Sequence, residues 1–371
     1  MPSGRPGAIV RAVAARSPAP KPLRDRDVAP NRPAGGLLRD PEELESPVLR
    51  LILRRASEAS LPGERSDDQL LCLAIEGGGM RGVVSAGMCL VLEAAGLTSA
   101  FDRIYGVSAG AMNGWGLAAG QAALSVANYR DAVMRHVIRP SAPLRGQPLV
   151  DFDLLFDELI AGRRPLPGGA ASAAPELRVL ATSLETMTLR VLHGFADLDE
   201  LVSAVRASSF LPRFAGEPPV FRGEPMTDGS LIEPIPFPTA LREGATHVLV
   251  LRSRPPGYRR GALSEVGPVL AVRRDERLVG LLRSRHRAYN RQVQVLETER
   301  AVAGAYLQQI TVPDGVRLLA PLQASEERVV EAVAHGARAM AQAVLTGPVD
   351  LAWQPVVCLS TGTASHSNAT G

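Results

Sequence analysis

Apolar positions change their period several times along the chain, and each change marks an element. Residues 69–76 read Gln-Leu-Leu-Cys-Leu-Ala-Ile-Glu, a continuous apolar run too short for a helix, which predicts a strand buried on both faces. Gly77-Gly78-Gly79-Met80-Arg81-Gly82 follows, and then an apolar helical stretch over 83–95. A second unit repeats the plan at once: a strand over 101–105, the small-residue turn Gly106-Val107-Ser108-Ala109-Gly110, and a helix over 111–121. Two strand–loop–helix units in succession set the frame for the rest.

Upstream, Val48, Leu49, Leu51 and Ile52 recur at helical spacing and predict a helix over 42–59, followed by a linker at 62–68. Downstream, the pattern predicts a helix over 127–138, a Pro- and Gly-rich stretch over 140–175 around one helical segment at 152–161, strands at 177–182 and 189–193, and a helix at 198–208. The stretch 140–175 has the composition of a lid or a surface loop. An extended segment, 221–228, runs into the turn Asp228-Gly229-Ser230; beyond it lie a Pro-broken segment at 234–238, a short helix at 239–242 and a strand at 247–251. Helices are expected at 266–302 and 325–346, with a strand near 316–319 between them. Strands alternating with helices give an α/β class with a mostly parallel central sheet flanked by helices on both faces. The expected organisation is an Arg/Pro-rich arm over 1–67, largely disordered with one helix near 42–59; a catalytic domain over 68–360, with motifs in 69–255 and helices in 260–350; and a disordered tail over 361–371.

Composition narrows the function classes. With 371 residues and 46% hydrophobic content, the chain can bury one large core. The net charge of +3 is carried almost wholly by arginine, since Lys21 is the only lysine. Such whole-chain bias reflects base composition more than a phosphate-binding patch, and no nucleic-acid partner is expected. Cys72, Cys89 and Cys358 cannot all pair, the first two sit in apolar runs, and no Cys/His spacing fits zinc. The expectation is a reducing, cytoplasmic location without a metal. The first 20 residues lack the apolar core of a signal peptide, and no apolar stretch reaches the ~18 residues of a spanning helix, so membrane contact is expected to be peripheral.

The loop 77–82 fits Gly-x-Gly-x-x-Gly between strand and helix, which admits two readings. Glycines let backbone N–H groups approach an anion at a helix N-terminus, and either a pyrophosphate or a tetrahedral oxyanion can use them. A dinucleotide site needs an acidic residue ~20 positions on, at the end of the second strand. Asp102 has nearly that separation but begins its strand, and Ser108 stands at the end instead. The oxyanion reading is preferred over a Rossmann oxidoreductase.

Gly106-Val107-Ser108-Ala109-Gly110 matches the nucleophile elbow in its strand–turn–helix context; the bland alternative is a serine capping a helix. A serine nucleophile needs a base. His136, His286 and His335 fall in predicted helices, His366 in the tail, His247 at the wrong end of a strand, and His193 closes a strand without loop context. Asp228 does lie in a tight turn after an extended segment, although an ordinary Asp-Gly turn reads the same way. As a base, its carboxylate needs its pKa raised by desolvation.

Together these residues resemble the patatin-like phospholipase family. The resemblance rests on Gly77–Gly82 as Gly-Gly-Gly-x-Arg-Gly, Gly106–Gly110 as the elbow, and Asp228-Gly229-Ser230 as the later Asp-Gly motif. It also rests on Ala207-Ser208 through Pro212 and Phe214, and on Ile235-Pro236 with the run to Leu251, so that it covers about 69–255. The resemblance implies a three-layer sandwich and a serine acyl hydrolase of lipid esters, phospholipase A or lysophospholipase-like, that uses no cofactor. Ser108 is then the nucleophile and Asp228 its proton acceptor in a dyad without histidine. The loop Gly77, Gly78, Gly79, Met80, Arg81 and Gly82 is the oxyanion hole, with Arg81 bracing it or meeting a lipid phosphate. An acyltransferase or a non-catalytic lipid binder on the same fold are the variants. Ser230 departs from the usual Gly or Ala, and Glu233 stands where Asn is frequent, which bears on the electrostatics around Asp228. Residues 273–291 carry seven arginines around Leu278, Leu281 and Leu282, read either as a solvated helix face or as a surface for anionic lipid. Oligomeric state has no signature in the sequence.

Overall fold

A computed structural model describes residues 38–346 apart from 131–133, 140, 146, 157–173, 212–216, 317–318, 321 and 323–324. In chain order the main elements are helix α1 (Pro47–Ser57), strand β1 (Leu71–Ile75), α2 (Gly82–Ala94), β2 (Arg103–Val107), α3 (Ala109–Ala118), α4 (Ala122–Arg130) and the short α5 (Met134–Val137). There follow β3 (Glu176–Ser183), β4 (Leu189–Leu192), α6 (Leu198–Ser209), β5 (Val220–Phe221), β6 (Glu224–Asp228), α7 (Phe237–Arg242) and β7 (His247–Leu251). The last elements are α8 (Val266–Ala271), α9 (Glu276–Thr298), β8 (Ala301–Val302), β9 (Ala305–Ile310) and α10 (Glu326–Val344).

The sheet is parallel through its centre, in the order β3-β2-β1-β7-β9. Strands β4, β6, β5 and β8 add antiparallel pairings toward the edges. Alternation along each central strand sends side chains to two separate cores. Leu71, Leu73, Ile75, Ile104, Leu249 and Leu251 join one core with α1, α2, α3, α6 and α10. Cys72, Ala74, Tyr105, Val107, Val248 and Val250 join the other with Phe237, Tyr289 and Val293 from α7 and α9. Because both faces are covered, the strands are continuous apolar runs, as expected for a three-layer α/β fold.

At the N-terminal ends of β1 and β2 the buried Arg55 of α1 ties the frame together. It donates to Asp67, to Asp102 at 2.8 Å, and to the carbonyls of Ala100 and Gln69. Arg65 donates to the other oxygen of Asp102 at 2.7 Å. Asp102 is thus a structural anion at the strand's start, remote from the glycine loop.

The C-terminal part departs from expectation. The helix expected over 266–302 is two helices, α8 and α9, and its end is already strand β8. The next strand is β9, parallel to β7, whereas Val316 and Leu319 lie in no strand and 317–318 fall outside the described residues. Ala-Tyr-Leu-Gln-Gln-Ile in β9 alternates buried and accessible positions only in part, so it lacks the continuous apolar signature of its neighbours. The helix expected over 127–138 is α4 and α5 with 131–133 outside the described residues. Of the segment 152–161, only its beginning is described.

Candidate active site

The site begins with how three strands meet. Along one edge, β3 pairs with β2 from Glu176 to Leu180, where Val107 lies opposite Leu180. From Ala181 onward the same edge pairs with β6, antiparallel, and Asp228 lies opposite Ala181. The other edge is taken by β4 over Val179–Thr182. Strands β2 and β6 therefore run toward each other along one edge and stop at adjacent residues of β3. The residue after β2 is Ser108, and the last residue of β6 is Asp228, so the topology brings the two together from 120 positions apart in the chain.

Ser108 turns the chain from β2 into α3 with φ 56° and ψ −126°, a conformation that is strained for a non-glycine residue. The surroundings hold it there. Its N–H donates to Ser208 Oγ at 2.8 Å, and Ser208 Oγ donates to Leu180 O at 2.6 Å. Sheet and helix also press together around the elbow: a Cβ on Gly110 would stand 2.3 Å from the carbonyl oxygen of Ile75. Ser108 makes no side-chain cap for α3, which disposes of the capping reading.

The glycine loop closes into a single 3-10 turn, Gly79–Arg81, leading into α2. Gly77 N–H is tied to Pro234 O, Arg81 N–H to Gly78 O, and Asn113 Nδ2 on α3 holds Gly82 O at 2.7 Å. The N–H groups of Gly78, Gly79 and Met80 open this turn ahead of any intrahelical acceptor. Buried Glu76 anchors the loop's base by accepting from Ser253 N at 2.6 Å and from its hydroxyl at 3.1 Å.

Asp228 is buried, its N–H donating to Phe210 O at 2.7 Å and its carbonyl accepting from Thr182 Oγ1. Gly229 is demanded by the packing, since a Cβ there would lie 2.4 Å from Leu180 O. Burial pushes the Asp228 carboxyl above the ordinary aspartate value. Arg285, the N–H and hydroxyl of Ser230, and a hydrogen bond from Ser108 pull it back in part. Ser230 N donates to Asp228 Oδ1 at 2.7 Å, and Ser230 in turn accepts from Arg285, through Nε to its carbonyl at 3.0 Å and through Nη2 to its hydroxyl at 2.6 Å. The serine that departs from the family pattern is thus the joint between Asp228 and an arginine of α9. Glu233, the other departure, turns away: it caps α7 through Thr239 N and pairs with Arg242 at 2.8 Å.

Ser108, Asp228, Ser230 and the loop 77–81 line one cavity of about 510 Å³. One part of its wall is apolar, with Met112, Val137, Ile138, Phe152, Leu155 and Leu211. Another is cationic, with Arg81, Arg254, Arg260 and Arg285. Arg260 is paired with Glu265, whereas Arg254 lies 4.0 Å over the ring of Tyr258. Arg81 is buried with Nε lacking a hydrogen bond among the described residues, so it does not brace the loop through that group. Burial, with Arg254 nearby, pushes its pKa down to about 10.

The histidines set aside as bases on sequence grounds lie away from the elbow where they are described. His247 packs against Tyr306 with tilted rings at the start of β7, and His193 pairs with Glu176 at the start of β3, both away from Ser108. His366 lies outside the described residues. Of the arginines in 273–291, Arg285 points into the cavity, which sequence periodicity did not single out. Ser208 and Asn113 were also missed as positioning groups; the Ala-Ser pair before Pro212 was the available signal for the first.

Known proteins place this geometry in context. The family model for patatin-like phospholipase matches residues 73–241. An uncharacterized protein, YjjU, from Escherichia coli (strain K12) is 27% identical over 194 residues, covering 50% of this chain and 52% of that protein. Human patatin-like phospholipase domain-containing protein 5 is 28% identical over 169 residues, covering 44% of this chain and 39% of that protein. The chain thus spans about half the length of the first curated relative and about two-fifths of the second. Solved structures of VipD from Legionella pneumophila and of human GIVD cytosolic phospholipase A2 align over 75% and 80% of this chain and over 67% and 62% of those chains. Both show 12% identity, with TM-scores of 0.37 and 0.38, a level at which likeness bears on neither fold nor function. The matched segment contains the glycine loop, the elbow, Ser208 and Asp228, and residues 73–241 of this chain are a patatin-like phospholipase domain.

Proposed function

We propose that the protein is a serine acyl hydrolase of lipid esters, with Ser108 as nucleophile and Asp228 as its base. The observation that carries this reading is the meeting of β2 and β6 on one edge of β3, which sets an elbow hydroxyl against a buried carboxyl whose pKa is raised. In the first step Asp228 accepts the Ser108 proton as Oγ bonds to the ester carbonyl carbon. The resulting oxyanion is held by the N–H groups of Gly78, Gly79 and Met80, where one lost donor typically costs ~10²–10³ in rate. Collapse expels the alcohol, which takes the proton back from Asp228, and leaves an acyl-serine. Water then attacks the acyl carbon, giving its proton to Asp228, and the fatty acid leaves as Ser108 is reprotonated.

The apolar wall suits an acyl chain, and the arginines beside the glycine loop suit an anionic headgroup more than a neutral one. The test is hydrolysis of a fluorogenic phosphatidylglycerol in mixed micelles. Wild type is expected to release fatty acid, and Ser108→Ala to release none above the uncatalysed rate while keeping its melting temperature. Equal turnover by both proteins refutes the assignment.

A further inference from the structure

Residues 262–271 present three faces. Val269, with Val272 just beyond, packs against Leu231, Leu278 and Leu282. Ser264, Gly267, Pro268 and Ala271 line the cavity. The third face is apolar and uncovered: Leu263 is 87% exposed, Val266 50% and Leu270 57%. Their spacing of three and four residues sets them on one side of the 3-10 turn Ala262–Glu265 and α8. One exposed leucine is ordinary, but three apolar side chains aligned at the rim of a lipid-sized cavity are not.

The charges beside this face are mainly basic, with Asp275 and Glu276 the acidic residues just beyond them. Arg273 and Arg274 follow α8, are exposed, and form no ion pair among the described residues. Arg277 lies 3.9 Å from Asp275, and Arg259 and Arg260 on the other flank are paired with Glu297 and Glu265. We infer that residues 262–274 dock on an anionic lipid surface, with Leu263, Val266 and Leu270 inserted at the headgroup boundary and Arg273 and Arg274 on the phosphates. An apolar stripe flanked by arginine is the composition of an interfacial element. A second copy docking by the same patch brings like-charged arginines together, and the N-terminal 37 residues carry basic residues in excess of Asp25 and Asp27, so neither complements this surface. The inference rests on the lipid-hydrolase reading for the reason a lipid is needed, but binding is measurable without turnover.

The test takes the full chain bearing Ser108→Ala and sediments it with phosphatidylcholine vesicles with and without phosphatidylglycerol. Binding is expected for the anionic vesicles, weakening as salt rises and the Debye length falls below about 10 Å. Adding Leu263→Asp, Val266→Asp and Leu270→Asp is expected to cut vesicle partition at least tenfold, and Arg273→Gln with Arg274→Gln to remove most of the salt dependence. With Ser108 restored, the triple variant is expected to keep hydrolysis of a short water-soluble ester and to lose hydrolysis of vesicle lipid. Wild-type partition by a triple variant with an unchanged melting temperature overturns the docking surface. So does equal binding to neutral vesicles, no vesicle binding at all, or a triple variant that merely converts a dimer to a monomer. Soluble-ester turnover without vesicle binding leaves the hydrolase reading standing; vesicle binding without any ester turnover leaves the docking surface standing.

Discussion

Arg285 Nη2 donates to the hydroxyl of Ser230 at 2.6 Å, and the N–H of that same serine donates to Asp228 at 2.7 Å. A cation of α9 thereby acts on the proposed base through one intervening residue. The groups facing Asp228 are Ser108, Ser230 and Arg285, with Arg260 and Glu265 acting on Arg285. Burial raises the Asp228 pKa, and the Arg285 charge opposes that rise. The ionised form is the base, so activity is lost as pH falls through this pKa. Removing the cation moves the loss to higher pH. Arg285→Gln is expected to displace the acid limb of the kcat/KM profile upward, and a limb displaced by one pH unit lowers the rate on its acid side about tenfold. An unmoved limb rules out this electrostatic role.

The same burial has a consequence for stability. A carboxyl whose folded pKa is raised destabilises the fold as pH climbs from the ordinary aspartate range through that raised value. Asp228→Asn keeps an acceptor for Ser230 N–H and removes the charge. The variant is expected to be inactive, yet to melt higher than wild type at pH 8, with the gap closing by pH 4. A lower melting temperature at pH 8 contradicts a raised Asp228 pKa.

Ser208 ties the elbow to β3, accepting from Ser108 N at 2.8 Å and donating to Leu180 O at 2.6 Å. Ser208→Ala leaves a buried N–H and a buried carbonyl unpaired, at a cost of about 1–3 kcal/mol. Because the strained φ of Ser108 loses its restraint, kcat is expected to fall ~10²-fold with KM little changed. The neighbouring Ser209, which also lines the cavity but whose hydroxyl donates within its own helix to Val205 O, serves as the comparison. Equal effects of Ser208→Ala and Ser209→Ala on kcat would remove Ser208 from the site.

Two glycines are held to their identity by backbone carbonyls on opposite sides of β2's end. A methyl on Gly110 meets Ile75 O at 2.3 Å, and one on Gly229 meets Leu180 O at 2.4 Å. Backbone cannot move aside as a side chain does, so Gly110→Ala and Gly229→Ala are each expected to cost at least about 1–3 kcal/mol. Urea denaturation measures it; a loss below about 0.5 kcal/mol at either position contradicts the close approach.

These relationships explain which parts could be read from the sequence. The glycine loop, Ser108 and the turn at Asp228 are local patterns, each complete within a few residues, and local sterics suffice to mark them. The pairing of Asp228 with Ser108 is not local. It depends on β6 taking the edge of β3 that β2 vacates after Leu180, a matter of strand register between distant segments. Arg285 was hidden for another reason: among the arginines of an amphipathic helix, only the rotation of α9 against Ser230 decides which one faces inward. Strand β9 escaped notice because two glutamines interrupt its apolar alternation.

The central claim is that Asp228 deprotonates Ser108, and covalent labelling tests it most directly. Wild type, Ser108→Ala and Asp228→Asn are treated with a long-chain fluorophosphonate, and the labelled peptide and its rate of formation are followed by mass spectrometry. The account predicts a single adduct on Ser108, none in Ser108→Ala, and labelling slowed by about 10² or more in Asp228→Asn. An adduct on another serine, or a wild-type labelling rate in folded Asp228→Asn, contradicts it.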